Sequence, residues 1–377
     1  MINKFQLKNF KIHSDLDIEF GNITILTGQN GMGKSSVMQS LLLLRQSYLQ
    51  QPTFPGANLK GDLVNLGSVF DVECQACKDP QLYAMLQSTT GDLKFQFSYD
   101  KDVDDKDVDL SDTFLPVIDR PDPEAIQKCA LFTKEFQYIS AFRLGPQRSY
   151  ERDTSIVQHQ KQISKVNGQC EYTVHFLSYF GNKIHCIPEL VLEGTENDFL
   201  DTQVESWMQN VSPRVKVVIT PEGNDFKLKY KYTREGELIT DEMSAVNVGY
   251  GISYVLPVVV AILSATPGSL IMIENPEAHI HPRAQAELMK LLMKAAKAGI
   301  QIIIETHSDH IMNGVLVSIV KEPELLSIVK AYYFDRDDRK HTSIPIQLEI
   351  LPDGRISNPP RGFFDQIDID MRTIMGL

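Results

Sequence analysis

Eight residues near the N-terminus have the composition and spacing of a phosphate-binding loop. Gly28 to Ser35 read GQNGMGKS, a full match to the pattern GxxxxGKS. Glycines let backbone N–H groups curl around a phosphate, the lysine adds positive charge, and the serine hydroxyl can bind Mg²⁺. Nucleotide contacts are therefore expected from the whole loop and the residue after it: Gly28, Gln29, Asn30, Gly31, Met32, Gly33, Lys34, Ser35 and Ser36.

The flanking residues predict the strand, loop and helix order that such a site needs. Asn22 to Thr27 is a short β-rich run that ends at the glycines. From Ser35 onward, apolar residues recur at helical spacing, as at Val37, Leu41 and Leu44. A chance glycine turn before a helix is the alternative, and this context disfavours it.

Two later segments each read as a buried strand that ends in polar residues. They are LIMIENPEAHIHP, residues 270–282, and QIIIETHSDH, residues 301–310. We expect Glu274 to lie beside Mg²⁺ as a metal ligand together with Ser35, and His307 to contact the γ-phosphate. The alternative is two buried strands whose polar ends only enter solvent.

The motifs and their order resemble a known family. Residues 7–36, LKNFKIHSDLDIEFGNITILTGQNGMGKSS, resemble the N-terminal signature of SMC and RecF-type ATPases, and NVGYGISYVLP, residues 247–257, stands where ABC proteins carry their signature motif. YISAFRLGPQRSY, residues 138–150, and GFFDQIDIDMRTIMGL, residues 362–377, resemble bacterial stand-alone ATPases with a C-terminal segment of unknown function. The chain thus resembles an ABC-type ATPase of the SMC, RecF and OLD-like branch.

This resemblance implies an α/β fold: a P-loop NTPase head of the ABC type with a mixed sheet, an inserted α+β lobe and a small C-terminal β-β-α segment. The N-terminal half of the head, with the P-loop, would occupy residues 1–70, and the lobe, with a basic hairpin, residues 71–240. The second half of the head, with the signature, Walker B and the histidine switch, would occupy 241–330. The C-terminal segment would be 331–377.

The chain departs from the family at the position of the catalytic base. ABC proteins usually end Walker B with Asp-Glu, whereas this chain has Glu274 and Asn275. An amide can orient a water but cannot take its proton. Glu277 is the nearest replacement carboxylate, so either Glu277 acts as the base or hydrolysis is slow. The expected catalytic set is Glu277, Glu274, Asn275 and His307.

The signature also departs, because Gly249 stands about where the family has a serine. Gly251 is the retained glycine at a helix start, and Ser253 is a possible hydroxyl donor to a γ-phosphate. The resemblance implies a homodimer that sandwiches two ATP molecules with Mg²⁺, each P-loop facing these residues of the other chain. A flexible turn before an apolar helix is the alternative.

Composition limits the partners. The 377 residues carry a net charge of -12, so no global positive field attracts nucleic acid or anionic lipid. The most apolar stretch, Val255 to Ala265, is about half the roughly 20 residues that a membrane-spanning helix needs. We expect no membrane segment and a cytoplasmic protein, in which the five cysteines are reduced. Cys74 and Cys77 form a lone CxxC pair.

Residues 214–233 predict a β-hairpin with a basic face, and residues 100–112 an acidic, solvated loop. The hairpin could contact DNA or RNA through Lys227, Lys229, Lys231, Arg214 and Lys216, although edge lysines also prevent aggregation. A second group, Arg143, Arg148 and Arg152, could reach a phosphate or a partner subunit.

Two functions remain open from the sequence. The first is an ATP-hydrolysing ATPase that dimerises around nucleotide and drives or gates an effector protein, in antiphage defence or DNA maintenance. That biological role is implied by the resemblance alone. The second is an ATP-bound dimeric scaffold or sensor with negligible hydrolysis.

Overall fold

A computed structural model describes residues 1–99, 113–234, 238–360, 362–364 and 366–375. The acidic stretch 100–112, expected to be a solvated loop, lies outside the described residues. The strands form two six-stranded sheets and one three-stranded sheet. No helix among the described residues is long and apolar enough to cross a membrane.

The first six-stranded sheet carries the P-loop, and we call it the nucleotide sheet. Five of its strands run parallel, and the sixth, at the edge, is antiparallel. Because the carboxyl ends of parallel strands meet at one edge, the polar residues that follow them are brought together there. The strands are, in spatial order, β15 (Thr342–Gln347), β14 (Val329–Asp337), β3 (Ile23–Gly28), β13 (Gln301–Glu305), β12 (Leu270–Glu274) and β8 (Phe136–Ile139).

Helices or a second sheet cover both faces of the nucleotide sheet, which is why its strands read as continuous apolar runs. The helices are α1 (Lys34–Gln50), α2 (Val69–Val72), α3 (Pro123–Lys128), α4 (Thr173–Phe180), α5 (Leu200–Val211), α6 (Tyr250–Leu263), α7 (Pro282–Lys297), α8 (Asp309–Lys321) and α9 (Gln366–Met375). Along β13, Ile303 packs on the side of α1, while Ile302 and Ile304 pack on the side of α6, α7 and α8.

The second six-stranded sheet joins the nucleotide sheet through a buried glutamine. Gln301 donates to the backbone oxygens of Ile2, at 2.6 Å, and Gly21, at 3.1 Å, and its Oε1 accepts from the Ile2 N–H at 2.8 Å. These bonds satisfy backbone groups that would otherwise be buried without partners. In spatial order the strands are β2 (His13–Glu19), β1 (Ile2–Phe10), β5 (Gln81–Ser88), β6 (Gly91–Ser98), β7 (Phe114–Asp119) and β4 (Gly56–Asn58).

The remaining strands form a lobe together with α4 and α5, which pack against α6. Its three-stranded sheet has the order β11 (Met243–Ser244), β10 (Asp225–Tyr232) and β9 (Val215–Glu222). Strands β9 and β10 form the expected hairpin, in which Glu222 pairs with Asp225 across a two-residue turn. Gly223 supplies the positive φ, 58°, that such a turn needs.

The α/β head with a mixed sheet is present, but the expected boundaries do not follow the sheets. The boundary at residue 71 separates β1 from β5, which pair with each other. Strand β8 lies within 71–240 yet pairs with β12 in the nucleotide sheet, and the boundary at residue 331 cuts through β14. Strands that are distant in sequence pair with each other in both sheets, so local sequence patterns do not reveal which strands share a sheet. Within 71–240, β9 and β10, with α4 and α5, belong to the lobe rather than to either six-stranded sheet.

Candidate active site

The P-loop connects the end of β3 to the start of α1, as the sequence predicts. Gly28, Gly31 and Gly33 have φ values of 135°, 78° and 100°, which L side chains rarely adopt. The Lys34 ammonium curls back over the loop and donates to the backbone oxygens of Gly28, at 2.9 Å, and Gln29, at 2.7 Å. The loop is thus closed around the lysine that would meet the phosphates.

Two residues from distant strands support the loop. The His13 ring Nε2 lies 2.9 Å from the Gly33 oxygen, and the Ser343 hydroxyl donates to the Met32 oxygen at 2.6 Å. A Cβ on Gly33 would lie 2.9 Å from the His13 ring, so the glycine is also required by packing. Burial lowers the pKa of His13 to about 4, which keeps the ring neutral. Ser343 lies in no nucleotide motif, and nothing in the type or spacing of His13, within residues 7–36, marks it as a support for the loop.

The carboxylate that contacts Ser35 is Glu305. The Ser35 hydroxyl donates to Glu305 Oε1 at 2.6 Å. Glu305 ends β13, which lies between β3 and β12, so it is nearer to the P-loop helix than Glu274 is. Glu305 and Glu274 are register partners. The expected metal pair of Ser35 and Glu274 did not include Glu305, the acid that touches the serine. The signal was the acid at the end of QIIIE.

Protein donors hold Glu274 in place. The Tyr138 hydroxyl donates to Oε1 at 2.9 Å, and the Ala141 N–H donates to Oε2 at 3.0 Å. Both donors lie at or just after the end of β8, the strand next to β12. Glu274 is thus fixed within the acidic group of the site, one strand further from Ser35.

Three buried acceptor oxygens in this region have no hydrogen-bond partner: Asn275 Oδ1, Glu277 Oε2 and Glu305 Oε2. Burial raises the pKa of Glu305 to about 7, and the charges of Glu274 and Glu277 add to this effect, while the Ser35 bond opposes it. Unpartnered buried acceptors are costly, so they indicate a site for a cation or a water.

These residues fit Mg²⁺, which prefers oxygen ligands and is usually held by one or two protein groups plus phosphate oxygens. The Ser35 hydroxyl and the Glu305 carboxylate supply such oxygens. Among the described residues, no group of three or more His, Cys, Asp or Glu side chains is arranged to hold a metal alone.

His307 follows β13 and contacts Glu277. Its backbone N–H donates to Glu277 Oε1 at 2.9 Å, which ties the two predicted residues together. Partial burial and the nearby Lys34 ammonium lower the pKa of the His307 ring, while a hydrogen bond with the Gly28 backbone opposes this shift. The ring is thus beside the P-loop.

Arg143 has a structural position, not the phosphate or partner contact considered from the sequence. It is 1% exposed. Its guanidinium donates to four backbone oxygens, those of Ser140 (3.1 Å), Tyr254 (2.9 Å), Glu274 (2.9 Å) and Asn275 (2.8 Å). It therefore joins the end of β12, the loop after β8 and helix α6. Arg152 stacks over a phenylalanine ring, while Arg148 is exposed.

The three signature residues differ in their surroundings. Gly249 precedes α6, and a Cβ there would meet nothing within 4 Å. A Cβ on Gly251 would lie 2.4 Å from the His279 oxygen, so this glycine is needed for packing within the chain. Ser253 is 5% exposed, and its hydroxyl lies 3.3 Å from the Tyr230 hydroxyl. Ser253 was wrongly expected as a phosphate donor, because it faces the lobe.

Three lysines of the basic hairpin form ion pairs with two glutamates. Lys227 pairs with Glu222, and Lys229 and Lys231 both pair with Glu242, at 2.9 and 3.0 Å. These bonds reduce the positive charge available to a nucleic acid backbone. The exposed Arg214 and the half-exposed Lys216 stand at the opposite end of the hairpin from its turn.

The raised pKa of Glu305 predicts a pH-dependent stability. Folding disfavours the ionised carboxylate, so the nucleotide-free protein should lose stability as the pH rises from about 4.5, the unfolded value, through about 7. Glu305→Gln keeps an acceptor for Ser35 without the charge. It should raise the free energy of unfolding by about 3 kcal/mol at pH 8 and by almost nothing at pH 4.5.

Urea unfolding in buffer without metal or nucleotide measures this difference. Glu193→Gln, at an exposed glutamate, is the control. A Glu305→Gln effect that does not vary with pH would show that the carboxylate is not held at a raised pKa.

Three family models match the chain. A model described as "AAA ATPase domain" matches residues 1–175, and one described as "AAA domain, putative AbiEii toxin, Type IV TA system" matches residues 136–313. A protein family of unknown function, DUF3696, matches residues 327–374. No protein of curated function matches the chain.

Solved structures of SMC head domains share the fold. The SMC head bound to the C-terminal winged-helix domain of ScpA is 14% identical, with a TM-score of 0.54 over 92% of this chain and 98% of that one. The SMC head with an extended coiled coil, bound to the C-terminal domain of ScpA derived from Pyrococcus furiosus, is 12% identical, with a TM-score of 0.51 over 100% and 99%. The chain is thus similar to AAA ATPase domains over residues 1–313, which the two AAA models together span, and it shares its fold with SMC head domains.

Proposed function

We propose that this protein is a cytoplasmic ATPase that binds and hydrolyses ATP with Mg²⁺, dimerises around the nucleotide and gates an effector protein. The observation that carries the proposal is the set of buried, unpartnered acceptor oxygens of Asn275, Glu277 and Glu305 beside Lys34 and Ser35. A metal and a water between these oxygens would supply the partners that they lack.

Binding would rest on the P-loop. Its backbone N–H groups and the N-terminus of α1 would hold the phosphates, and Lys34 would exchange its loop oxygens for the β- and γ-phosphates. Ser35 and Glu305 would hold Mg²⁺, with Glu274 next to them. When bound, the metal offsets the negative charge of the phosphates. His307, whose ring is beside the P-loop, would contact the γ-phosphate.

Hydrolysis needs a group that takes a proton from the attacking water. Glu277 fits this role, because Oε1 is fixed by the His307 N–H while Oε2 has no partner. The Asn275 amide, whose Oδ1 is also unpartnered, would orient the water. The water oxygen would bond to the γ-phosphorus as the bond to ADP breaks, and its proton would pass to Glu277.

Replacing the base tests the enzymatic part of the proposal. Glu277→Gln keeps the acceptor for the His307 N–H, so ATP affinity should stay near the wild-type value. Phosphate release at saturating ATP and Mg²⁺ should fall on the order of 10²-fold or more, the typical contribution of a positioned base. Lys34→Ala is the matched control and should lose ATP binding in isothermal titration. A fully active Glu277→Gln protein would exclude Glu277 as the base.

The scaffold alternative is favoured by one residue, the amide of Asn275 at the usual base position. In that case wild-type turnover would already be negligible, Glu277→Gln would match it, and ATP would persist in the purified dimer. Asn275→Glu would then be the informative variant, since a carboxylate there should raise turnover if the site can hydrolyse ATP at all.

The proposed dimer would place each P-loop against the start of α6 in the other copy. Gly249 is the suitable position for a test, because its φ of -53° and open surroundings accept a side chain. Gly251 is unsuitable, since any side chain would strike the His279 backbone. The exposed Tyr250 lies between these two glycines.

Gly249→Arg, made in the Glu277→Gln background, should leave ATP binding by the single chain intact. It should weaken ATP-dependent dimerisation by at least about tenfold, because a large cation would stand in the interface. Light scattering with and without ATP measures this, with Gly249→Ala as the conservative control. If Gly249→Arg dimerises as well as Gly249→Ala, α6 does not face the nucleotide of a second copy.

The similar proteins indicate what kind of effector and pathway to expect. One matching family model names a toxin of a toxin–antitoxin system, and the similar SMC heads bind ScpA. We therefore propose a protein partner and a role in antiphage defence or DNA maintenance. Glu277→Gln, which should retain ATP, is expected to retain the partner in purification from cells, and Lys34→Ala is expected to lose it. Equal recovery with both would mean that nucleotide does not gate the partner.

A further inference from the structure

A cleft of about 410 Å³ opens beside the second half of α1, separate from the P-loop residues. Its walls come from α1, the start of β8 and residues 160–168. Most of the wall is apolar, with Leu49, Phe132, Phe136 and Ile156 among the lining side chains. The size and the aromatic wall are those of a small-molecule site.

A buried cation without a counter-ion lies in this cleft. Arg45 is 4% exposed, and among the described residues no carboxylate lies within ion-pairing distance of it. Its Nη1 donates to the backbone oxygens of Leu131, at 2.5 Å, and Thr133, at 2.9 Å. The described residues offer no hydrogen-bond partner to its Nε or Nη2.

The guanidinium lies over the Phe136 ring, 4.3 Å from the ring centroid. This contact and the two carbonyls offset part of the cost of burying the charge. The part of this cost that is not offset appears as a lowered pKa, since burial lowers the pKa of Arg45 to about 9. The two remaining nitrogens of this buried guanidinium, Nε and Nη2, suit an anion, since carboxylates and phosphates bind arginine through paired bonds.

The other charged residues that line the cleft are also mostly positive. Three cations, Arg45, Lys134 and Lys165, stand against one acid, Asp62. This local excess of positive charge occurs in a chain whose net charge is -12. The side-chain amides of Gln46 and Gln137 are already bonded to backbone groups. The cleft thus combines an apolar, aromatic wall with a positive site.

We propose that this cleft binds a small anion with a planar, apolar body, whose carboxylate or phosphate group lies on Arg45. The ring of the ligand would pack among Phe132, Phe136 and the other apolar residues of the wall. Nothing in this binding step requires ATP.

The cleft also has a direct connection to the candidate active site. Tyr138 lines it, and the Tyr138 hydroxyl donates to Glu274 at 2.9 Å. Helix α1 carries Arg45 and begins at Lys34 of the P-loop. A ligand that shifts Tyr138 would therefore shift Glu274, so the cleft is an effector site. This regulatory step rests on the proposed ATPase function, whereas the binding step does not.

The fluorescent aromatic sulfonate 8-anilinonaphthalene-1-sulfonate is the probe, used without nucleotide in the Lys34→Ala protein so that the P-loop does not contribute. One probe per chain should bind, and benzoate or phenyl phosphate should displace it, whereas neutral benzamide should not. Whichever of benzoate and phenyl phosphate displaces the probe at the lower concentration carries the preferred anionic group. Displacement by benzamide as effective as by the anions would overturn the proposal.

Arg45→Met should weaken probe binding by at least about tenfold, because the guanidinium that would pair with the sulfonate of the probe is lost. If that variant does not fold, the double change Lys134→Glu and Lys165→Glu decides, since both lysines are exposed and only the charge of the cleft changes. The matched control is Lys290→Glu with Lys321→Glu, which reverses two charges on the separate cavity between α7 and α8. Unchanged binding in the cleft variants, or an equal loss in the control, would contradict the assignment.

In the protein with an intact P-loop, the displacing anion should change phosphate release, and Arg45→Met should abolish that response. If no ATPase activity exists but anion binding still depends on Arg45, the proposed function fails and the binding site remains. If activity exists but does not respond to the anion, the effector role fails.

Discussion

The repulsion among three carboxylates at one edge of the nucleotide sheet is the constraint on which the candidate site depends. Burial raises the pKa of Glu305 to about 7, and Glu274 and Glu277 are close enough that their charges add to this shift. Each is held by a donor from a different part of the chain: the Tyr138 hydroxyl, the His307 N–H and the Ser35 hydroxyl. Holding three carboxylates together costs free energy, and the metal of a bound nucleotide would reduce the repulsion among them.

The scaffold that maintains this strained edge consists of buried polar groups that bond to backbone. Arg143 connects the end of β12 to α6 and to the loop after β8 through four carbonyls. Gln301 connects the first residues of β1 to β13, and His13 supports the P-loop from β2. Such groups have defined geometry, so they fix the relative positions of elements that apolar packing alone would leave less specific. A change at α6 or β8 would therefore reach the acidic edge.

Much of the site follows from the sequence, because its signals are local. A glycine loop between a strand and a helix, and two apolar runs with polar ends, are short patterns with a direct physical meaning. They predict the P-loop and the strand-end positions of Glu274 and His307, and the alternation of residues 214–233 predicts the hairpin. Strand order in a sheet carries no local signal, so the positions of β8 and β14 could not be predicted in the same way.

What the sequence by itself determined was which residue types stand at the ends of which elements. Only the tertiary structure decided which of them meet. Glu305 contacts Ser35 because β13 lies beside β3, Ser253 contacts Tyr230 of the lobe, and Lys229 pairs with a glutamate thirteen residues away. In each case the deciding interaction joins side chains from different elements. Such contacts depend on packing in three dimensions, which no pattern along a single element contains.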